Sequence, residues 1–156
     1  QKISAGKITA RKSNIFHFNL DRPLLNKTSH FLWSWDKDDP IFRITLYNNF
    51  RSNGENLITA ECLTNNDEEL LSAQQVFAEL IKMKIIDPAA SIVSRAEQRL
   101  TNTFPVPNLE FKKYSEENYM RFISSFKNLG ISGRYSGKVW GQTQVLQDIY
   151  EQISKI

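Results

Sequence analysis

Along the first part of the chain, apolar and polar side chains alternate over short segments separated by turn-forming residues. Four segments show a strand-like pattern of this kind: residues 6–20, 30–35, 41–47 and 57–63. The first contains a polar break at 11–14, and Asp21-Arg22-Pro23 ends it because proline cannot donate to a strand ladder. Residues 36–40 have the composition of a tight turn. Short connections of this type predict a mostly antiparallel, meander-like sheet.

Two of these predicted strands carry aromatic and cationic side chains. Trp33 and Trp35 share one side of their strand, either as a core or interface pair or as a pair that stacks on a ligand. In the next strand Arg43 lies on one face, while Ile44 and Leu46 lie on the other.

Beyond the fourth strand, apolar residues recur at helical spacing. Residues 67–83 form an amphipathic pattern that follows Asn66, a good N-cap residue, with Glu69 at the capping-box position. Residues 91–103 carry both helical and strand signals. We favour a strand there because the segment leads into Pro105-Val106-Pro107, which must be extended.

Two further helices are predicted near the C-terminus. One has Ser115 as its N-cap and ends before Gly130, which suits a left-handed C-terminal cap. Residues 131–135 have the pattern of a short strand, and the last helix spans about 142–154. The residues that this last helix is expected to bury are Val145, Leu146, Ile149 and Ile153. The whole pattern predicts an α+β fold, with helices on one face of the sheet.

Composition narrows the class of protein. The 156 residues are 40% hydrophobic and 24% charged, as in ordinary soluble globular domains. The net charge of +3 comes from scattered Lys and Arg residues without a basic stripe, so no nucleic-acid partner is expected. No apolar run approaches the roughly 20 residues of a membrane span. Cys62 is the only cysteine, which excludes an internal disulfide and favours a reducing, cytoplasmic location.

Residues that commonly carry chemistry are sparse. His17 and His30 are the only histidines, and neither has a second His or Cys at ligand spacing, so no metal site is expected. A nucleophile pair of Cys62 with a histidine has no supporting motif, and a buried structural thiol is favoured. The aspartates within 36–39 lack the glycine and glutamate of a calcium loop.

The stretch 129–144 contains Gly133-Arg134-Tyr135 and offers one candidate anion site. Arg134 has five donors in a fixed arrangement that suits a phosphate or a carboxylate. The predicted helix start near Gln142 offers free backbone N–H groups and the positive end of the helix dipole. An anion would fit between them, although a glycine-rich turn with an exposed arginine explains the same residues.

Three motifs follow one another towards the C-terminus: Phe104-Pro105-Val106-Pro107, Gly133-Arg134-Tyr135, and residues 138–144 leading into the last helix. This series resembles the closing portion of flavin-dependent amine-oxidase-like enzymes, a superfamily that includes protoporphyrinogen oxidases and UDP-galactopyranose mutases. Residues 31–36, 39–44 and 57–61 resemble, more loosely, strands of that family's substrate-binding sheet.

The resemblance implies that FAD is the cofactor of the intact protein. It places these residues at the flavin: Gly133, Arg134, Tyr135, Trp140, Gly141, Gln142 and Thr143. It places Trp33, Trp35 and Arg43 towards a small-molecule substrate, and it assigns no catalytic residue and no metal. The sequence departs from the family at Gln142-Thr143, where an acidic residue or Asp-His is usual.

The family's N-terminal βαβ unit, with its glycine fingerprint, has no counterpart in this sequence. We therefore expect the C-terminal part of a longer flavoprotein. Residues 1–104 would form the substrate-binding sheet plus a helix, and 105–156 would return to the missing dinucleotide-binding domain. The chain alone would then bind flavin weakly or not at all, and its last helix would fray or support a homodimer.

Two functions from different classes are compatible with the sequence. One is FAD-dependent oxidoreductase or mutase chemistry on an amine, a porphyrin-like ring or a nucleotide-sugar. The Gly-Arg-Tyr to Gln-Val spacing is most similar to that of the mutase branch, and this resemblance implies nucleotide-sugars of cell-surface polysaccharide synthesis as substrates. The other is a stand-alone binding or assembly module whose surface is formed by the tryptophans and the aromatic strands.

Overall fold

A computed structural model describes residues 10–36, 38–50, 56–64, 70–106, 109–126, 130–131 and 141–154. The described strands are β1 Ala10–Leu20, β2 Phe31–Trp33, β3 Arg43–Leu46, β4 Leu57–Thr64 and β5 Ile92–Pro105. The described helices are α1 Ala73–Lys82, α2 Leu109–Ser125 and α3 Gln142–Ile153, with a short 3₁₀ turn at Tyr47–Asn49. The chain divides into two compact units, one of residues 10–104 and one that contains the described residues from Pro105 onward.

The five strands form one sheet in the order β2-β3-β4-β1-β5. The pairs β2–β3, β3–β4 and β1–β4 are antiparallel, which confirms the predicted α+β fold with a mostly antiparallel sheet. Only β2, β3 and β4 follow one another as a meander. The first strand instead lies beyond β4, so the predicted meander is wrong for β1, because sequence neighbours do not fix the order of strands in space.

The first strand runs without interruption through the predicted polar break at 11–14. Ser13 and Asn14 are both buried there. Ser13 is satisfied across the sheet, since its hydroxyl donates to Glu61 Oε1 at 2.9 Å. The side-chain amide of Asn14 has no hydrogen-bond partner among the described residues, although it is 1% exposed.

One face of the sheet is apolar and packs against α1. Phe16 and Phe18 of β1 lie opposite Ala60 and Ile58 of β4, and Phe18 meets Phe77 of α1 edge to face, with ring centroids 5.8 Å apart. The other fully buried residues of this core include Leu24, Ile41, Ile44, Leu46, Val76, Leu80 and Ile86. Burial of such side chains stabilises a fold by about 1.5–3 kcal/mol each.

The first helix begins at Ala73, later than the sequence predicts. Its N-cap is Ser72, whose hydroxyl accepts from the Gln75 N–H at 3.3 Å, while the Gln75 side chain accepts from the Ser72 N–H at 2.8 Å. This capping box satisfies the first turn. The segment 70–72 is not helical, so the predicted start after Asn66 is wrong. Asn66 itself lies outside the described residues.

The second unit contains α2 and α3. Ser115 lies inside α2 rather than at its start, so the predicted N-cap is wrong, because the helix-forming residues Glu110, Lys112 and Lys113 extend the helix towards its N-terminus. The last helix has nearly its predicted bounds. However, Leu146 is 62% and Ile153 is 65% exposed, so their predicted burial is wrong. The strand predicted at 131–135 lies mostly outside the described residues.

The end of β1 is tied to the start of β5 by two hydrogen bonds. The Asp21 N–H donates to the Ser91 carbonyl at 3.0 Å, and the Ser91 N–H donates to Asp21 Oδ1 at 2.8 Å. The Arg22 guanidinium bonds both carboxylate oxygens of Asp21, at 3.2 and 3.3 Å. The hydrogen bond from Arg22, and then that from Ser91, lower the pKa of Asp21 below its ordinary value.

We expect Asp21→Asn to destabilise the protein at neutral pH, and the difference from the parent chain to vanish in acid. A carboxylate whose pKa is lowered by folding stabilises the folded state above about pH 4, and this stabilisation is lost as the pH falls through the folded pKa. Urea unfolding of both chains at pH 6.5 and at pH 2.5 measures the effect. If the two chains differ in free energy of unfolding by the same amount at both pH values, then the ionised Asp21 carboxylate does not stabilise the fold.

Candidate functional site

The sheet has a second face, opposite the one that packs against α1, and its chemistry is different. Alternate residues of each strand point to this side, and the register places Ile15, Glu61 and Arg43 in one row across β1, β4 and β3. The adjacent row contains His17, Thr59 and Thr45. We call this side of the sheet the polar face.

A buried carboxylate lies at the centre of the polar face. Glu61 is 3% exposed, and its Oε1 accepts from the Ser13 hydroxyl at 2.9 Å. Its Oε2 lies 2.5 Å from Arg43 Nη2. Both carboxylate oxygens are therefore engaged, as a buried charge requires.

The Arg43 guanidinium lies between this carboxylate and an indole ring. The side chain of Arg43 is 37% exposed, and its guanidinium carbon lies 5.3 Å from the ring centroid of Trp33. A cation at this distance from an indole is attracted by the ring's quadrupole. Glu61 and Trp33 thus contact the guanidinium, while over a third of the Arg43 side chain is exposed.

The two tryptophans of the second strand region are exposed rather than buried. Their rings stack at a centroid distance of 6.1 Å and an interplanar angle of 12°. Trp33 is 46% and Trp35 is 83% exposed. The structure therefore brings the predicted residues Trp33, Trp35 and Arg43 together, and it excludes a core role for the tryptophan pair.

The row next to Arg43 contains a second group of polar side chains, which are joined by hydrogen bonds. Thr59 Oγ1 lies 2.8 Å from His17 Nδ1 and 3.5 Å from the Tyr47 hydroxyl oxygen. Tyr47 is 43% exposed and His17 is half-buried. Nothing in the sequence pattern marks these residues as partners, because they come from three separate segments.

The thiol of Cys62 lies on the opposite, apolar face, across from Asn14. Burial raises the pKa of this thiol to about 12, so it is protonated and a poor nucleophile at neutral pH. Within the described ranges, no group of three His, Cys, Asp or Glu side chains is placed to hold a metal ion. No described helix is both long and apolar enough to cross a membrane.

The residues predicted to contact a cofactor are described only in part. Gly133, Arg134, Tyr135 and Trp140 lie outside the described residues. Gly141, Gln142 and Thr143 form the N-cap and first turn of α3 and are exposed. The first turn of α3 contains no acidic residue, so its backbone N–H groups present an uncompensated positive dipole end.

Comparison with known proteins bears on the fold. No protein-family model matches the chain, and no curated protein matches it by sequence. The structure is similar to that of reduced UDP-galactopyranose mutase, with a TM-score of 0.65 and 15% sequence identity over 83% of this chain and 30% of the mutase chain. This chain shares the mutase fold over that region. A protein assigned as a protoporphyrinogen oxidase from Exiguobacterium sp. 255-15 is also similar, with a TM-score of 0.53 and 10% identity.

These likenesses confirm the fold that the sequence resemblance implies. The comparison with the protoporphyrinogen oxidase covers 94% of this chain and 35% of the other. The chain therefore spans about a third of the length of either protein.

We expect Glu61→Ala to lower the free energy of unfolding by about 2 kcal/mol, because it leaves Ser13 unpaired and removes the partner of Arg43. Glu97→Ala is the matched control, since Glu97 pairs with Arg99 at an exposed site on β5, and it should cost less than about 0.5 kcal/mol. Urea unfolding at neutral pH measures both. If the two substitutions lower the free energy of unfolding equally, then the Glu61–Arg43 ion pair contributes no more to stability than an exposed ion pair.

Proposed function

We propose that this chain provides the substrate-binding sheet of an FAD-dependent oxidoreductase or mutase that acts on nucleotide-sugars in the cytoplasm. The polar face would hold the substrate, and the segment from Pro105 to the last helix would contribute to the cofactor site. The whole protein would contain a dinucleotide-binding unit, which is consistent with the limited share of the mutase chain that this chain covers.

The arrangement of Arg43 is the observation that carries this proposal. Its guanidinium is fixed from two sides by Glu61 and Trp33, while over a third of its side chain is exposed. A planar, pre-oriented guanidinium is well suited to a phosphate or diphosphate group, since its N–H groups match paired oxygens. The exposed indole of Trp33 next to it offers an apolar surface for the rest of such a ligand.

The similarity to UDP-galactopyranose mutase suggests which phosphate-containing ligand to test. Its name identifies a nucleotide-sugar as its substrate, and a nucleotide-sugar combines a diphosphate with rings that bear hydroxyl groups. Arg43 would bind the diphosphate, with Trp33 and Trp35 beside it.

The fit to FAD rests on the start of α3. The helix begins at Gln142, and a helix N-terminus without acidic residues favours an anionic or electron-rich group. Of the proposed donors, the Gly141 N–H is already bonded to Gln144 Oε1 at 3.2 Å. The N–H groups of Gln142 and Thr143 therefore fit the cofactor better than that of Gly141.

A second function is favoured by one observation. Trp35 is 83% exposed, and Phe31 and Phe50, whose rings lie 5.4 Å apart, are each about half exposed. An aromatic surface of this kind is typical of interaction sites. The chain would then be a binding or assembly module without an activity of its own.

We expect the chain to bind UDP and UDP-galactose, and Arg43→Ala to weaken binding of both at least tenfold. Loss of a charge-assisted hydrogen bond costs about 1.5–3 kcal/mol, which corresponds to this change. Arg43→Lys keeps the charge but loses the planar fork, so it should be intermediate. Quenching of tryptophan fluorescence and calorimetric titration give the affinities.

Arg99→Ala is the control for this experiment, because Arg99 is an exposed arginine on β5, which is separated from β3 by β4 and β1. It should leave both affinities unchanged. If the parent chain binds neither ligand and associates with itself in a Trp35-dependent manner, the module is the better description.

We expect the chain alone to form no stoichiometric complex with FAD. The dinucleotide-binding motif has no counterpart in the sequence, so most of the cofactor would lack a binding surface. Titration of FAD followed by flavin fluorescence, and the visible spectrum of the purified chain, measure this. Flavin that co-purifies at one molecule per chain would show that these residues suffice for the cofactor site.

A further inference from the structure

We propose that His17 and Tyr47, joined through Thr59, form a hydroxyl-binding pair that contacts the sugar part of a ligand whose phosphate lies at Arg43. This inference rests on the proposed function and names the residues that would contact the sugar. None of these three residues is marked by the sequence pattern as part of a site.

Thr59 joins the two outer groups because its hydroxyl oxygen lies close to both. It is 2.8 Å from His17 Nδ1 and 3.5 Å from the Tyr47 hydroxyl oxygen. Thr59 has one hydroxyl proton, so it donates to one of these neighbours and accepts from the other. The two hydrogen bonds therefore run in one direction, either from His17 to Tyr47 or from Tyr47 to His17.

Either direction leaves one acceptor and one donor at the two ends of this series of hydrogen bonds. When His17 Nδ1 donates, Nε2 is the acceptor and the Tyr47 O–H is the donor, and the opposite direction exchanges these roles. His17 Nε2 has no hydrogen-bond partner among the described residues, and Tyr47 is 43% exposed. Because a ligand hydroxyl can both donate and accept, two hydroxyl groups of a ligand can bind at these ends.

The register sets the distance between this pair and Arg43. Arg43 is opposite Glu61, whereas Thr45 is opposite Thr59, which is in turn opposite His17. The two rows are therefore two residues apart along the strands, which is about 7 Å. His17 also lies two strands away from Arg43, which adds about 10 Å across the sheet, so the backbone positions of these two residues are about 12 Å apart. A ligand that contacts both must therefore be extended, with its hydroxyl groups on a part of the molecule beyond its anionic group. A diphosphate that continues into a sugar ring has this form.

A purely structural role makes a different prediction. If the chain of hydrogen bonds only joined β1 to β4 and to the turn after β3, then its removal would lower stability without distinguishing between ligands. Comparing UDP with UDP-galactose separates the two roles, because UDP-galactose carries the sugar that the pair would contact, whereas UDP ends in a free phosphate.

Binding of UDP and of UDP-galactose to His17→Ala and to Tyr47→Phe tests the proposal. We expect His17→Ala to weaken UDP-galactose about tenfold and Tyr47→Phe to weaken it about threefold, each leaving UDP within about twofold of the parent. His30→Ala and Tyr150→Phe are matched controls, since His30 contacts Phe50 and Tyr150 is an exposed residue of α3. Neither control should change either affinity. Thermal unfolding of each variant confirms that it folds.

Two results would overturn the inference. If His17→Ala weakens UDP and UDP-galactose equally, or weakens neither, then the pair does not contact the sugar, while the proposed role of Arg43 is untouched. If the parent chain binds neither ligand, then the proposed function itself fails, and the hydroxyl-binding pair fails with it.

Discussion

The buried carboxylate of Glu61 is the constraint on which the polar face depends. A charge that is 3% exposed is tolerated only when its oxygens are paired, and here the partners come from the strands on either side. Ser13 of β1 and Arg43 of β3 are thereby locked to β4. The contacts that satisfy the charge also fix the register of the strands and hold the guanidinium in place. The same interactions therefore stabilise the sheet and position the candidate site.

The two faces of the sheet divide the tasks of stability and binding. The face that packs against α1 contains phenylalanines and aliphatic residues, and it supplies the core. The polar face exposes a half-buried cation, a hydroxyl chain and indole rings. One exception lies on the apolar side, where the amide of Asn14 is buried without a partner among the described residues. An unpartnered amide costs stability, and we have no physical explanation for its presence.

Much of the fold follows from local pattern, and the failures have physical causes. Alternation predicted the strands, and the proline run that follows residue 103 correctly decided between helix and strand for β5. Asn66 with Glu69 and Ser72 with Gln75 are both plausible capping boxes in the sequence, and the helix begins at the second. Arg43 and the tryptophans were predicted as candidates from the sequence. Ser13, Glu61, His17 and Thr59 were not, because their proximity exists only once the register is known. Glu61 is the only charged residue of β4, and this was the one available signal in the sequence.

A sheet places functional groups at a regular spacing, and this has consequences for recognition. Side chains on one face of neighbouring rows are separated by about 7 Å along the strand. A ligand that is recognised by two rows must therefore match a length as well as a chemistry. On the polar face, one row presents a fixed cation and the next presents an acceptor and a donor. Because the backbone ladder sets that separation, specificity for an anion linked to a hydroxylated ring requires no mobile loop.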